Sequence, residues 1–251
     1  MATVAANPGN RVPVVTSVPG RRYDHFFFSG MAGLVLATVF VGFARTYYLA
    51  GMVHATLPSA IIHFHGAAFS CWILVLVAQT SLVAAGRVDI HRRLGIFGFL
   101  LACAMVVLGV LAGTDALARG FAPPGLDAAT FYVIPISDML IFPTLIFFAF
   151  RNRSSPPAHK RFILIATLAL MIAPIARWPL AAVNQKPVAA AVVVYLFLLM
   201  LVGYDLWSIH KVHRVTLWAG AFLIVVQQIR VPIGKTAAWH AFAAWAVSLR
   251  H

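Results

Sequence analysis

Seven polar side chains in this sequence have the types and positions needed to hold an anion inside an apolar chain: Arg45, His63, His65, Asp138, Arg177, Gln227 and Arg230. Arginine forks match carboxylate and phosphate oxygens. Asp138 offers a counter-charge, and His63-Phe64-His65-Gly66 supplies imidazoles able to hydrogen-bond or to ligate a metal. A second set sits in short basic runs: His91-Arg92-Arg93, His159-Lys160-Arg161 and Asp205. Its plainest chemistry is contact with anionic lipid headgroups; the sharper alternative is a metal or haem-propionate site. There is no Ser-His-Asp order, glycine-rich phosphate loop, HExxH or carboxylate pair. A hydrolase or kinase is therefore disfavoured, and no catalytic residue is assigned.

The elements that carry these residues follow from composition. The chain has 251 residues, 62% hydrophobic and 10% charged, with a mean hydropathy of +0.90. A soluble domain would carry about 25% charged residues and about 45–50% apolar ones. That contrast excludes a soluble fold, a disordered chain and a disulfide scaffold, and it predicts an all-α integral membrane protein. The net charge of +13, with 19 Lys and Arg against six acids that are all Asp, reports membrane orientation here and not nucleic-acid binding.

A spanning helix needs about 20 apolar residues. Seven stretches qualify, at 26–48, 61–85, 94–118, 131–150, 162–182, 187–208 and 216–235. Three regions follow: a polar cytoplasmic segment 1–25, a seven-helix bundle 26–235, and a tail 236–251 read as an interfacial helix from Trp239, Phe242 and Trp245. The first run is too long for a signal-peptide core and reads as a retained anchor. Arg11, Arg21, Arg22, Arg87, Arg92, Arg93, Arg151, Arg153, Lys160, Arg161, Lys211 and Arg214 all fall on one side, against Arg119 and Lys186 on the other. The positive-inside rule then puts the N-terminus inside and the C-terminus outside, in a bacterial inner membrane.

Depth follows from about 1.5 Å of rise per residue. Asp138 lies about 10 Å below the outer surface, and Arg177 and Arg230 arrive at nearly the same level, about 21–22 Å up from inside. Arg45 closes span 1 at the outer boundary, His63 and His65 open span 2, and Gln227 is slightly deeper. Pro135 and Pro143 flank Asp138, Pro174 and Pro179 flank Arg177, and Pro232 follows Arg230, which suits a cavity among bent helices. Two readings stay open: a pocket in which arginines hold an anion or carboxylate, and a structural Asp138–Arg177 or Asp138–Arg230 pair locking the bundle.

The two histidines of span 2 point about 200° apart on a regular helix, so one histidine with a hydrogen-bonding role suits the spacing better than a metal site. His63, His65, His91 and His159 remain the metal candidates. A bis-histidine haem needs two helices at one depth, and the outer layer adds only His54 or Met139 as makeshift partners. Haem b or a transition metal is therefore the second choice. Asp205, at the inner edge of span 6, needs a cation such as Arg92 or Arg161. Cys71 and Cys103 read as packing groups, and Gly109-x-x-x-Gly113 permits close helix approach.

The run His63-x-His65-Gly66, Trp72, Gln79, Gly86-Arg87-x-Asp89-x-His91-Arg92-Arg93-Leu94-Gly95, then His159-Lys160-Arg161 and Thr236-Ala-Ala-Trp239, resembles a group of uncharacterised bacterial multispanning membrane proteins. The His-Gly and His-Arg elements are faintly similar to transmembrane b-type cytochromes and oxidase-assembly proteins. The expectation is a membrane protein with a polar ligand, ion or lipid pocket in its outer half, acting as a binding, transport-like or accessory subunit. The alternatives are a haem- or metal-binding redox protein and a purely structural partner in a membrane complex. Bilayer and anionic headgroups are the expected partners, with no nucleic acid.

Overall fold

The computed structural model describes residues 23–52 and 59–249. Arg11, Arg21, Arg22 and His54, and most of the segment 1–25, lie outside them. The described residues form helices α1 Asp24–Phe43, α2 Ala60–Ala84, α3 Val88–Ala118, α4 Ala128–Arg151, α5 Pro156–Ala169, α6 Ile172–Ile175, α7 Pro187–Ile209, α8 Arg214–Gly234 and α9 Ala237–Ser248. Six of the segments are long and apolar enough to cross a membrane: Asp24–Tyr48 and helices α2, α3, α4, α7 and α8. Their outward faces carry Leu74, Leu100, Val107, Leu199 and Trp218. Long apolar helices, which bond their backbone internally, make this an architecture compatible with an integral membrane protein.

The stretch expected at 162–182 is not one helix. It breaks at Leu170 and Met171, whose N–H groups turn back to Thr167 O and Leu168 O, both 3.1 Å. Pro174 explains the break: it has no N–H for the Leu170 carbonyl, and its ring crowds that carbonyl. The pieces are nonetheless central. Ile165, Leu168 and Ile175 are fully buried. The broken segment meets α1 near both ends of that helix. At one end Lys160 Nζ meets Asp24 Oδ2 at 2.5 Å. At the other, Trp178 Nε1 donates to Thr38 O at 3.2 Å. There Gly42 faces the Pro174 backbone so closely that an added Cβ would lie 2.7 Å from its Cα.

α4 is the hub, packing against α3, α5, α8 and α9. Its Ile141, Phe142 and Ala149 are fully enclosed. Trp72 of α2 stands edge-on to Phe142, with centroids 5.2 Å apart, and donates from Nε1 to Thr167 Oγ1 at 3.2 Å. The small face of α3 lets α4 approach: a Cβ on Gly113 would lie 3.2 Å from the Pro135 ring, and Gly109 sits against Met139. α1 ends in a π-helical turn, Ala44–Tyr48, marked by Leu49 N–H reaching back five residues to Ala44 O at 2.7 Å. The tail forms α9, tied to the start of α4 by Trp239 Nε1 donating to Ala129 O at 2.8 Å.

Candidate functional site

A cavity of about 400 Å³ opens toward the end of the bundle where α1 finishes and α2 begins. Its walls come from the π turn, the first half of α2, the last half of α3, the first half of α4 and the break between α5 and α6. The lining is mostly apolar, with polar exceptions that include His65, Ser70, Arg119, Asp138 and Arg177. The π turn supplies one wall and fastens it. Tyr47 Oη donates to His63 O at 3.2 Å, and Tyr48 Oη bonds Ser70 Oγ at 2.7 Å. Gly66 makes this fit feasible, because a Cβ there would lie 2.9 Å from the Tyr47 ring.

Helices α4 and α8 bring Asp138 and Arg230 together, with Nη1 donating to Oδ1 at 2.8 Å. Both side chains are nearly enclosed, 12% and 4% exposed, and Ser137 Oγ adds a long contact to Arg230 at 3.4 Å. Arg177 is not part of this pair. It has no carboxylate within ion-pair distance among the described residues. Its Nη1 donates to Ala173 O at 2.8 Å, and its guanidinium lies over the Phe43 ring, 5.0 Å from the centroid. That leaves one arginine facing the cavity with most of its donors uncommitted.

His65 lines the same cavity and packs at a tilt against Phe69, ring centroids 4.1 Å apart. Its Nδ1 is buried with no hydrogen-bond partner among the described residues. His63 does not line the cavity, as the 200° separation of the two rings requires. Arg45 is exposed and away from the cavity. Gln227 is buried below Arg230, its amide unbonded among the described residues. Counting rise along helices gives height but not azimuth, which is why Arg45 and Gln227 share the level and not the site. Sequence reasoning missed Asp115, which is 6% exposed, pairs with Arg119 Nε at 2.9 Å and accepts from Ser59 Oγ at 3.2 Å. The Asp115-x-x-x-Arg119 spacing was the available signal.

The opposite end holds the second set. Asp205 is fully buried and its carboxylate is saturated: Arg161 Nε donates to Oδ1 at 3.0 Å, with Nη2 on the same oxygen. Thr216 Oγ1 and His213 N–H donate to Oδ2 at 2.6 and 3.0 Å. Arg161 Nη1 adds a bond to Pro157 O at 2.7 Å. The partner of Asp205 is thus Arg161 and not Arg92. The arrangement clamps α5, α7 and α8. Lys160 bonds Asp24, which also accepts Tyr204 Oη at 2.6 Å. Arg92 and Arg93 face outward.

His91 and His159 stand edge to face, centroids 6.4 Å apart. His159 Nδ1 lies 2.8 Å from Ala149 O, while His91 Nδ1 is buried without a partner among the described residues. No group of three or more His, Cys, Asp or Glu side chains able to hold a metal occurs among the described residues. His213 caps α8, its Nδ1 accepting from Val215 N–H at 3.1 Å. Burial, and then the Arg161 charge, hold this ring below the ordinary histidine range. No protein-family model matches the chain, and no curated protein or solved structure shows significant similarity to it.

Proposed function

We propose that this chain is a bacterial inner-membrane protein that binds an anionic ligand in its outer half, as a binding, transport-like or accessory subunit. It crosses the membrane seven times, N-terminus inside and C-terminus outside, with the broken α5–α6 segment as the fifth crossing. Two things support that count: the segment meets α1 near both of its ends, at Asp24 and at Thr38, and the basic loops then fall on one side. Exposed Arg92 and Arg93 meet anionic headgroups at the inner face. The pattern shared with uncharacterised bacterial multispanning proteins belongs to the same proposal.

The observation that carries the binding reading is Arg177. Arg177 lies in the turn that follows α6 and is partly buried; a purely structural layer would pair such a cation. Asp138 is already committed to Arg230, so Arg177 is left with a backbone carbonyl, a ring face and a cavity.

The test is a charge comparison. In a chain without Cys71 and Cys103, a single cysteine at Ser70 is exposed in intact cells to two impermeant thiol reagents of similar size, one anionic and one cationic. The anionic reagent should react about ten-fold faster, equivalent to about 1.4 kcal/mol, and Arg177→Gln should abolish the preference. Equal rates in the unsubstituted cavity would remove the anion reading.

A further inference from the structure

Resting on the anion-binding reading, we propose that the cavity accepts a single-chain amphiphile with one negative charge, a long-chain carboxylate, whose head bonds Arg177. The tail lies against the apolar wall of α1, α3 and α4.

Charge balance sets the head. Asp138 is neutralised by Arg230 and Arg119 by Asp115. Among the described lining residues that leaves Arg177 as the uncompensated cation. One negative charge balances it. A phosphomonoester, carrying nearly two, would leave a surplus anion in a poorly solvated site, which is costly. Geometry favours a carboxylate further. Ala173 O and the Phe43 ring hold the guanidinium plane, and the remaining N–H groups of the fork suit two oxygens at once.

The walls set the tail. Val39, Ile73, Ala112, Ile134 and Met139 offer no hydrogen bonds to a sugar or a nucleotide. Hydroxyls buried there would go unsatisfied. At about 400 Å³ the cavity is at the small end of ligand sites, with room for one acyl chain and not for the two of a phospholipid.

Native mass spectrometry of the full chain in a nonionic micelle reads this directly, with tetradecanoate, tetradecanol, tetradecyl phosphate and acetate as probes. One tetradecanoate should bind per chain, at least ten-fold tighter than the alcohol. Arg177→Gln should bring the acid down to the level of the alcohol, and acetate should fail to displace it. An alcohol that binds as well as the acid overturns the proposal, as does a phosphate preferred over the carboxylate or an acid indifferent to Arg177→Gln. If acetate competes on equal terms, the site is for small anions: the amphiphile assignment falls while the charge preference at Ser70 stands. If that preference is also missing, both readings fall. Arg177→Lys keeps the charge without the fork and should retain partial binding, which separates loss of the head contact from loss of the fold.

Discussion

Asp138→Asn leaves Arg230 with its charge almost wholly enclosed, 4% exposed, and with neutral acceptors in place of the carboxylate: the asparagine oxygen and the Ser137 hydroxyl at 3.4 Å. Breaking a buried pair from one side costs about 3–5 kcal/mol, because the stranded charge is the expense. Arg230→Gln strands Asp138 instead. That carboxylate borders the cavity and is more open, 12% exposed, so its loss should fall at the low end, about 3 kcal/mol. Removing both charges together strands neither. The double variant should therefore lose less than the sum of the single ones, with a coupling energy of about 1.5–3 kcal/mol. Arg177→Gln breaks no ion pair, and its coupling with Asp138→Asn should stay below about 0.5 kcal/mol. Titration from mild micelles into sodium dodecyl sulfate, followed by fluorescence of the six tryptophans, gives each free energy. Additive losses for Asp138 and Arg230, or a larger coupling to Arg177 than to Arg230, would refute the pairing and the uncommitted Arg177 with it.

Three further outcomes follow from the same geometry. With the native cysteines removed, a cysteine at Ser154 should react in intact cells only with permeant thiol reagents and one at Asn184 with impermeant ones; the reverse labelling would invert the bundle. His213 caps α8 through a neutral Nδ1 and is held below the reference value of 6.5, so the unfolded chain takes the proton first and stability should fall as pH drops below about 6.5. His213→Asn, which keeps a capping acceptor but does not titrate, should flatten that slope, and unchanged slopes would show that the ring does not matter. Gly66→Val should cost about 1–3 kcal/mol by driving Tyr47 off α2, whereas Gly33→Ala, with nothing within 4 Å of the added Cβ, should be neutral or gain about 0.5–1 kcal/mol; equal effects would mean that the Tyr47 wall is not packed as described.

Hydropathy located the helices well because the bilayer-facing residues repeat along whole turns. Six of the seven expected stretches are single helices, within a few residues of the expected bounds at most ends. α3 starts earlier, at Val88, because His91, Arg92 and Arg93 are polar but good helix residues, so the apolar count understates the helix. Span 5 misled for the opposite reason: its average is apolar, but Pro174 decides the backbone. The level shared by Asp138, Arg177 and Arg230 followed from residue counting alone. Which arginine takes the aspartate did not, since that depends on how α4, α6 and α8 are rotated about their axes. Asp115 escaped attention because a single acid near a helix end has no periodic signature.

The π turn at Ala44–Tyr48 can be viewed as one residue too many. Bonds that close over five residues in place of four accommodate an insertion within a helix. Every residue beyond it is rotated by about 100° from where a continuous α-helix would put it. Tyr47 and Tyr48 lie within the widened turn and reach His63 O and Ser70 Oγ from it. The wall they form is therefore sensitive to chain length in a way that it is not to side-chain identity. Tyr48→Phe removes one hydrogen bond, but deleting Ala44 would restore a regular helix and swing both rings off α2 together.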